Sequence, residues 1–205
     1  MIEDEANQDR ADKDHGLAEQ RHRLANLFQL LSTLTRMRQQ RSVEPEARRQ
    51  LGWILEAVSA LGALQQRMVA VDGCDFAGFL TDMQAQWRRR IGGRPVQLHV
   101  ETDPLVLREQ LASAVAIIAN ELVTNAINHA HPADRAGVIK VTLTTEPGGR
   151  AALTISDDGV GRDDLTEDRT KLGLWLIKGL ADQVRGEMTS NLSAGVTTRL
   201  EFPAS

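Results

Sequence analysis

An α+β fold is predicted, with a helical hairpin in the N-terminal third and helices packed on one face of a mixed sheet in the rest. Three observations carry this. Apolar residues recur at helical spacing through two long N-terminal stretches separated by a short break. Beyond about residue 73 the pattern changes to short strands alternating with helices. The composition, 41% hydrophobic and 25% charged, is that of a soluble globular chain, and 205 residues allow one to two domains. The expected division is a disordered acidic tail over 1–14, a helical module over 15–72 and an α/β domain over 73–205.

In chain order, the first helix is expected from about Gly16 to Arg41. Leu17, Leu24, Leu27, Phe28, Leu31 and Leu34 share one side. Ser42 to Pro45 break the pattern, and a second helix is expected over about Glu46–Val71, with Leu51, Ile54, Val58, Leu61, Leu64 and Met68 in its stripe. Each stripe is wider than one partner helix can cover. The hairpin is therefore expected to pair with a second copy as a four-helix bundle. Downstream, helices are expected over about Phe76–Arg90, Leu107–Ala130 and Leu174–Val184. Strands are expected over Val96–Glu101, Gly137–Thr145, Ala151–Ser156, Gly186–Asn191 and Thr197–Phe202.

Charge and composition exclude several roles. The net charge of −4 resides in the first fourteen residues, which hold six acids and two bases; residues 15–205 are neutral. A nucleic-acid binder usually carries a basic domain, and four Phe, three Trp and no Tyr offer few stacking platforms. The basic run Trp87-Arg88-Arg89-Arg90 reads as an ordinary helix C-terminus favoured by the macrodipole, with a partner surface as the alternative. One cysteine, Cys74, excludes an internal disulfide framework. No long apolar run marks a membrane span, so a cytoplasmic chain with no membrane contact is expected.

Three groups of residues could carry chemistry. With His22 at 0° on the first helix, Asn26 lies near 40°, Gln29 near 340° and Glu19 near 60°. These residues, with His15 two turns earlier, form a polar line opposite the apolar stripe. A neutral imidazole is a nucleophile near pH 7, and Glu19 could hold its opposite nitrogen or take its proton. Polar residues also belong on the outer face of any bundle helix. The second group lies in LREQLASAVAIIANELVTNAINHA, a helix apolar nearly all round that still places Glu121, Asn125 and Asn128 on one side. Buried carboxylates and amides need partners, from an internal network or from a ligand and its metal. Glu121 could polarise a nucleophile or an attacking water.

The third group follows a strand: Asp157-Asp158-Gly159-Val160-Gly161, and a dozen residues later Lys171-Leu172-Gly173-Leu174 opening a helix. Asp157 can accept a hydrogen bond from an exocyclic amine such as adenine's. Gly159 and Gly161 permit positive φ and close approach of a ligand, and Gly173 at a helix N-terminus would expose N–H groups to phosphate. The polar segment Arg162–Thr170 between them suits a lid over a nucleotide or a plain surface loop. Neither a GxxxxGK[ST] loop nor a GxGxxG fingerprint is present.

The order of these groups is their most specific feature: His22-Arg23-Leu24-Ala25-Asn26, then NELVTNAINHA at 120–130, DDGVG at 157–161 and KLGL at 171–174. This order resembles the HRxxN class of two-component sensor histidine kinases over roughly residues 16–203, with a catalytic half resembling the GHKL (Bergerat-type) ATP-binding α/β sandwich. The resemblance implies that His22 is the phosphoacceptor and Glu19 its acidic neighbour. It implies a Mg²⁺-binding Asn125, with Glu121 four residues before it, and an adenine-binding Asp157. Gly159, Gly161 and Gly173 would border the nucleotide, with Asn128 beside its phosphates. Thr197 or Thr198 would be the threonine near adenine, and Thr197 is taken as the candidate.

This chain departs from the resemblance at Asn128, where lysine is frequent, at Arg21-His22 in place of a His-His pair, and at Gly195-Val196 in place of Gly-Gly. The fourteen-residue tail is too short to be a sensor domain. The implied function is a soluble histidine kinase that autophosphorylates from ATP with Mg²⁺ and passes the phosphoryl group to an aspartate on a response regulator receiver domain. The implied partners are a second copy of the chain, the regulator and a separate sensory protein. Two alternatives stand beside it. One is a histidine phosphotransfer protein or regulator phosphatase with a degenerate ATP site. The other is a GHKL serine kinase acting as an anti-sigma switch, which has no need of a hairpin bearing His22.

Overall fold

The computed structural model describes the backbone of residues 2–69, 73–132, 135–161 and 168–204; the side chains of 2–15, 17, 18, 20–22, 168–172 and 174 lie outside that description. The chain divides into two compact units, Met1–Gln66 and Arg67–Ser205.

The first unit is a helical hairpin of α1 (Ile2–Arg41) and α2 (Pro45–Gln65). Pro45 opens α2, where its missing N–H costs nothing. Gln39 lies against Gly52 and Phe28 against Gly62, so the helices run antiparallel. Gln39 Nε2 also donates to the Arg48 carbonyl at 3.1 Å, closing the open end of the hairpin. On the side of α1 away from α2, Leu27, Leu30 and Leu34 are each more than half exposed.

Two expectations change here. The α1 backbone starts at Ile2, so residues 2–14, expected as a disordered tail, continue the helix. That stretch has no Gly or Pro to interrupt a helix. α2 ends at Gln65 rather than Val71, because the chain turns at Gln66 and enters the second unit. There Met68 bridges Cys74 and the Val69 N–H donates to the Gly73 carbonyl at 2.9 Å.

The second unit is a five-stranded mixed sheet with three helices on one face. The strands are β2 (Val96–Thr102), β4 (Gly137–Glu146), β5 (Arg150–Asp157), β6 (Glu187–Asn191) and β7 (Thr197–Pro203), in the order β2-β4-β5-β7-β6. Only the β2–β4 pair is parallel. Residues alternate cleanly between faces. Leu98, Ile139, Val141, Leu143, Leu153, Ile155, Leu200 and Phe202 are buried toward the helices. The other face is polar: Lys140 pairs with Glu101 at 2.8 Å, and Arg199 bridges Glu146 and Glu201 at 3.0 and 2.9 Å. A short pair, β1 (Gly73–Asp75) with β3 (Val106–Arg108), ties the entry of the unit to the approach to its central helix. Cys74 is buried in β1, and burial pushes its thiol up to about 12, which makes it a core residue and not a nucleophile.

α3 (Phe76–Ile91) buries Phe76, Phe79, Leu80, Met83, Trp87 and Ile91, a stripe at helical spacing. Asp75 caps it by accepting from the Gly78 N–H at 2.9 Å. α4 (Glu109–His129) is the central helix, and its interior is largely alanine and β-branched residues. Its length and apolarity would suffice to cross a bilayer, but here they serve burial in the core. Trp87 Nε1 donates to Asn120 Oδ1 at 3.0 Å, joining α3 to α4 and satisfying two buried polar groups at once.

α5 (Asp168–Gln183) ends in a Schellman turn. The Gly186 N–H reaches the Ala181 carbonyl at 2.8 Å, and the Arg185 N–H reaches Asp182 at 3.1 Å. Arg185 occupies the left-handed position, φ 53°, that glycine normally takes. Arg185→Gly is therefore expected to stabilise the protein by about 0.5–1 kcal/mol, because the relief of left-handed strain exceeds the added unfolded-state entropy. A rise in the urea midpoint at unchanged slope is the check.

Candidate functional site

A cavity of about 120 Å³ opens between α4 and the β5–β7–β6 end of the sheet. α4 supplies Leu122, Asn125, Ala126 and His129, and β5 supplies Ile155 and Asp157. The far wall is Met188, Ser190, Leu192, Val196 and Thr198, and Gly161 lies at the rim. The lining is mostly apolar with a few converging polar groups, the composition of a small-molecule site. Its volume is that of one ring system and falls short of the roughly 300–1,000 Å³ of pockets that enclose whole ligands. The rest of a ligand would extend past Asn125.

Asp157 is the buried carboxylate of this cavity. Its Oδ1 accepts from the Gly159 N–H at 3.0 Å and the Val196 N–H at 3.2 Å. These bonds fix the carboxylate plane and leave Oδ2 to face an amine donor. Gly195, φ 79°, packs directly against the Asp157 carbonyl, where any side chain would collide. Asp157 is thus held from its own strand, from the following turn and from the loop before β7.

Across the cavity, Asn125 Nδ2 lies 3.4 Å from Glu121 Oε1. Donation to that buried carboxylate commits the amide nitrogen and leaves the carbonyl oxygen as the atom a hard cation would take. Among the described residues no His/Cys/Asp/Glu cluster could hold a metal on its own. One amide oxygen beside a carboxylate does suit a cation that takes its remaining ligands from phosphate and water, as Mg²⁺ does.

Several expected residues are placed differently. Thr198, not Thr197, lines the cavity and is buried, whereas Thr197 is exposed. The sheet period of two decides this: Thr198 pairs with Ile155, two residues from Asp157 and on the same face. Asn128 is exposed and outside the lining. Leu122, Ala126 and His129 lie on one flank of Asn125 and Glu121 and Asn128 on the other, and the cavity takes the first flank.

Gly159 does not face the cavity either. It is buried against Ala130 at the end of α4, so it allows close packing and not ligand approach. Gly161, φ 70°, lines the cavity. Gly173 lies inside α5, five residues past its start and not at its N-terminus. A Cβ there would come 2.5 Å from Glu121 Oε1, so the glycine lets α5 approach the carboxylate.

On the hairpin, Glu19, Asn26 and Gln29 are all exposed. Glu19 Oε1 accepts from Arg23 Nη2 at 2.6 Å. The side chains of His15 and His22, the segment 162–167 and the side chains of Lys171 and Leu174 lie outside the described residues. Sequence reasoning missed His129, Met188, Ser190 and Leu192. Of these only His129, one turn after Asn125, carried a readable signal.

The histidine kinase-like ATPase domain family matches residues 98–201. Blue-light-activated histidine kinase 2 of Erythrobacter litoralis is 23% identical over 94% of this chain and 58% of its own length. The sensor histidine kinase PdtaS of Mycobacterium tuberculosis is 28% identical over 82% of this chain and 34% of its own. An anti-sigma F factor of Priestia megaterium is 28% identical over 37% of this chain and 59% of its own. The chain therefore spans about a third to three-fifths of the length of these relatives. Among solved structures, the histidine kinase domain of an Erythrobacter litoralis blue-light-activated histidine kinase superposes with a TM-score of 0.70 at 19% identity, covering 86% of this chain and 96% of that one. The α+β architecture with its mixed sheet is that of histidine kinase ATPase domains, and the family brings ATP binding with it. The chain belongs to the histidine kinase-like ATPase domain family.

Proposed function

We propose that this protein is an ATP-dependent histidine kinase whose phosphoacceptor is His22. The observation that carries the reading is the cavity lined by Asp157 and Asn125: a carboxylate fixed by two backbone N–H groups, an amide held by Glu121 and mostly apolar walls between them. That is the chemistry of a purine with an exocyclic amine, followed by metal-bound phosphates. Mg²⁺ held by Asn125 would neutralise charge on the phosphates.

In the proposed reaction an imidazole nitrogen of His22 attacks the γ-phosphorus of ATP in line. An N–P bond forms, the bond to the β,γ-bridging oxygen breaks and ADP leaves. Glu19, three residues before His22, accepts the imidazole proton or orients the ring, and Glu121 holds Asn125 in place. The phosphohistidine then passes its phosphoryl group to an aspartate on a response regulator. The exposed leucines of α1 support pairing of the hairpin with a second copy. A separate sensory protein would supply the input, and the reading places the protein in the cytoplasm.

A serine kinase of the anti-sigma type is the second reading, favoured by the anti-sigma F similarity. That match covers 37% of the chain, whereas the blue-light histidine kinase match covers 94%. A phosphotransfer protein with a degenerate ATP site is opposed by the intact Asp157–Asn125 pair. The test is incubation with γ-labelled ATP and Mg²⁺. The expected label is acid-labile and alkali-stable, and absent from His22→Ala. Acid-stable label on a partner protein would support the serine kinase instead.

A further inference from the structure

A buried histidine outside the cavity holds the turn that carries its carboxylate. His131 follows the last turn of α4 and is 2% exposed. Its Nε2 lies 2.7 Å from Asp158 Oδ1, and its Nδ1 is buried with no partner among the described residues. A proton on Nδ1 would be a buried donor without an acceptor and would aim the Nε2 lone pair at a carboxylate. The proton therefore sits on Nε2, and His131 donates to Asp158. Asp158 Oδ1 also accepts from the Val138 N–H at 2.7 Å. That bond first, and the His131 bond second, hold the Asp158 carboxyl below its ordinary 3.8. It stays ionised, and a strong acceptor, across the neutral range.

The turn after β5 meets the end of α4 at three successive residues. Asp158 takes the His131 bond, Gly159 packs on Ala130, and the Val160 N–H donates to the Ala130 carbonyl at 3.0 Å. Asp157, immediately before, reads the ligand, and Gly161, immediately after, forms the cavity rim. The His131 ring in turn presses on Gly137, where any side chain would displace it. Of these three contacts the first is a hydrogen bond between two side chains, so it can be removed while the Val160–Ala130 backbone bond stays in place.

We propose that His131 is a positioning residue for nucleotide recognition: by donating to Asp158 it locks the Asp157–Gly161 turn to the end of α4, and so sets where the base-reading carboxylate stands relative to Asn125. This rests on the nucleotide reading above and adds a residue that does not touch the ligand. His131 acts on the Asp157 end of the site. Its loss should therefore cost selectivity for an amine-bearing purine and leave the weaker binding of a purine with a carbonyl in that place unchanged.

The test titrates ADP and GDP into the full-length protein by calorimetry, with thermal melting alongside. His131→Phe is expected to weaken ADP about tenfold, the effect of one charge-assisted hydrogen bond, with GDP unchanged. His131→Gln, whose amide can donate to Asp158, should recover most of that loss. The double variant His131→Phe with Asp158→Asn should be no weaker than His131→Phe alone, because the two act through one bond. If His131→Phe does not fold, Asp158→Ala removes the same bond together with the Val138 N–H bond, and the loss should again fall on ADP and spare GDP.

The proposal is overturned if His131→Phe, or Asp158→Ala in its place, binds ADP as the unmodified protein does. It is also overturned if ADP and GDP weaken in equal proportion alongside a lowered melting temperature, the pattern of a merely structural residue. Absence of ADP binding by the unmodified protein would refute the nucleotide reading itself, a result distinct from both.

Discussion

Asp157→Asn is expected to reduce ADP affinity on the order of 100-fold, the largest effect of any single change in the cavity. Oδ1 of residue 157 must accept two backbone N–H groups, from Gly159 and Val196. An asparagine can meet that demand only by keeping its carbonyl oxygen there, which turns its NH₂ into the cavity in place of Oδ2. A donor then faces the exocyclic amine of adenine, itself a donor, and a buried hydrogen bond becomes a buried clash of like dipoles. The same amide suits the carbonyl of a guanine base, so the ratio of GDP to ADP affinity should rise. Because the two backbone bonds survive, the fold should be retained. Calorimetric titration of both nucleotides checks the prediction; unchanged ADP affinity would remove Asp157 from the site.

The second large effect is on the metal. Asn125→Ala is expected to abolish the increase in ATP affinity that Mg²⁺ gives, and to lower phosphoryl transfer by at least about 100-fold, the scale of losing one positioned electrostatic group. Asn125 stands between the cavity-lining flank of α4 and the Glu121 flank, so in the proposed reading one residue would serve both base and phosphates. With Ala at 125, the base cavity remains but nothing holds the cation, and Glu121 is left closer to phosphate with no amide between. Binding should then be nearly equal with Mg²⁺ and with chelator. Titration in the two conditions is the check, and a retained Mg²⁺ dependence would place the metal elsewhere.

Much of this was legible in the sequence because the periodicities are strong. The stripes of α3 and α4 and the alternation in β4 and β7 emerge within a few residues of where apolar spacing places them. β1 and β3 were not legible, since three residues carry no alternation to read. The choice between Thr197 and Thr198 turns on strand parity, and parity is set by pairing with Ile155, forty-three positions earlier. Asn128 shares the Glu121 side of a helical wheel, but a wheel does not say which flank meets the sheet. Gly159 and Gly173 were expected to contact ligand, whereas their neighbours are Ala130 and Glu121. A glycine states that something comes close, and only the fold states what. The His131–Asp158 bond joins residues 27 apart in sequence, with no motif to announce it.

The central claim is that a nucleotide bound between Asn125 and Asp157 delivers its γ-phosphoryl group to an imidazole on the hairpin. The most direct measurement reacts the protein with ATP and Mg²⁺, keeps it at neutral to alkaline pH, and locates the added phosphoryl group by fragmentation mass spectrometry. The account predicts modification of His22. A phosphoryl group on another residue of this chain, or an unmodified chain beside a partner phosphorylated on serine, would contradict it.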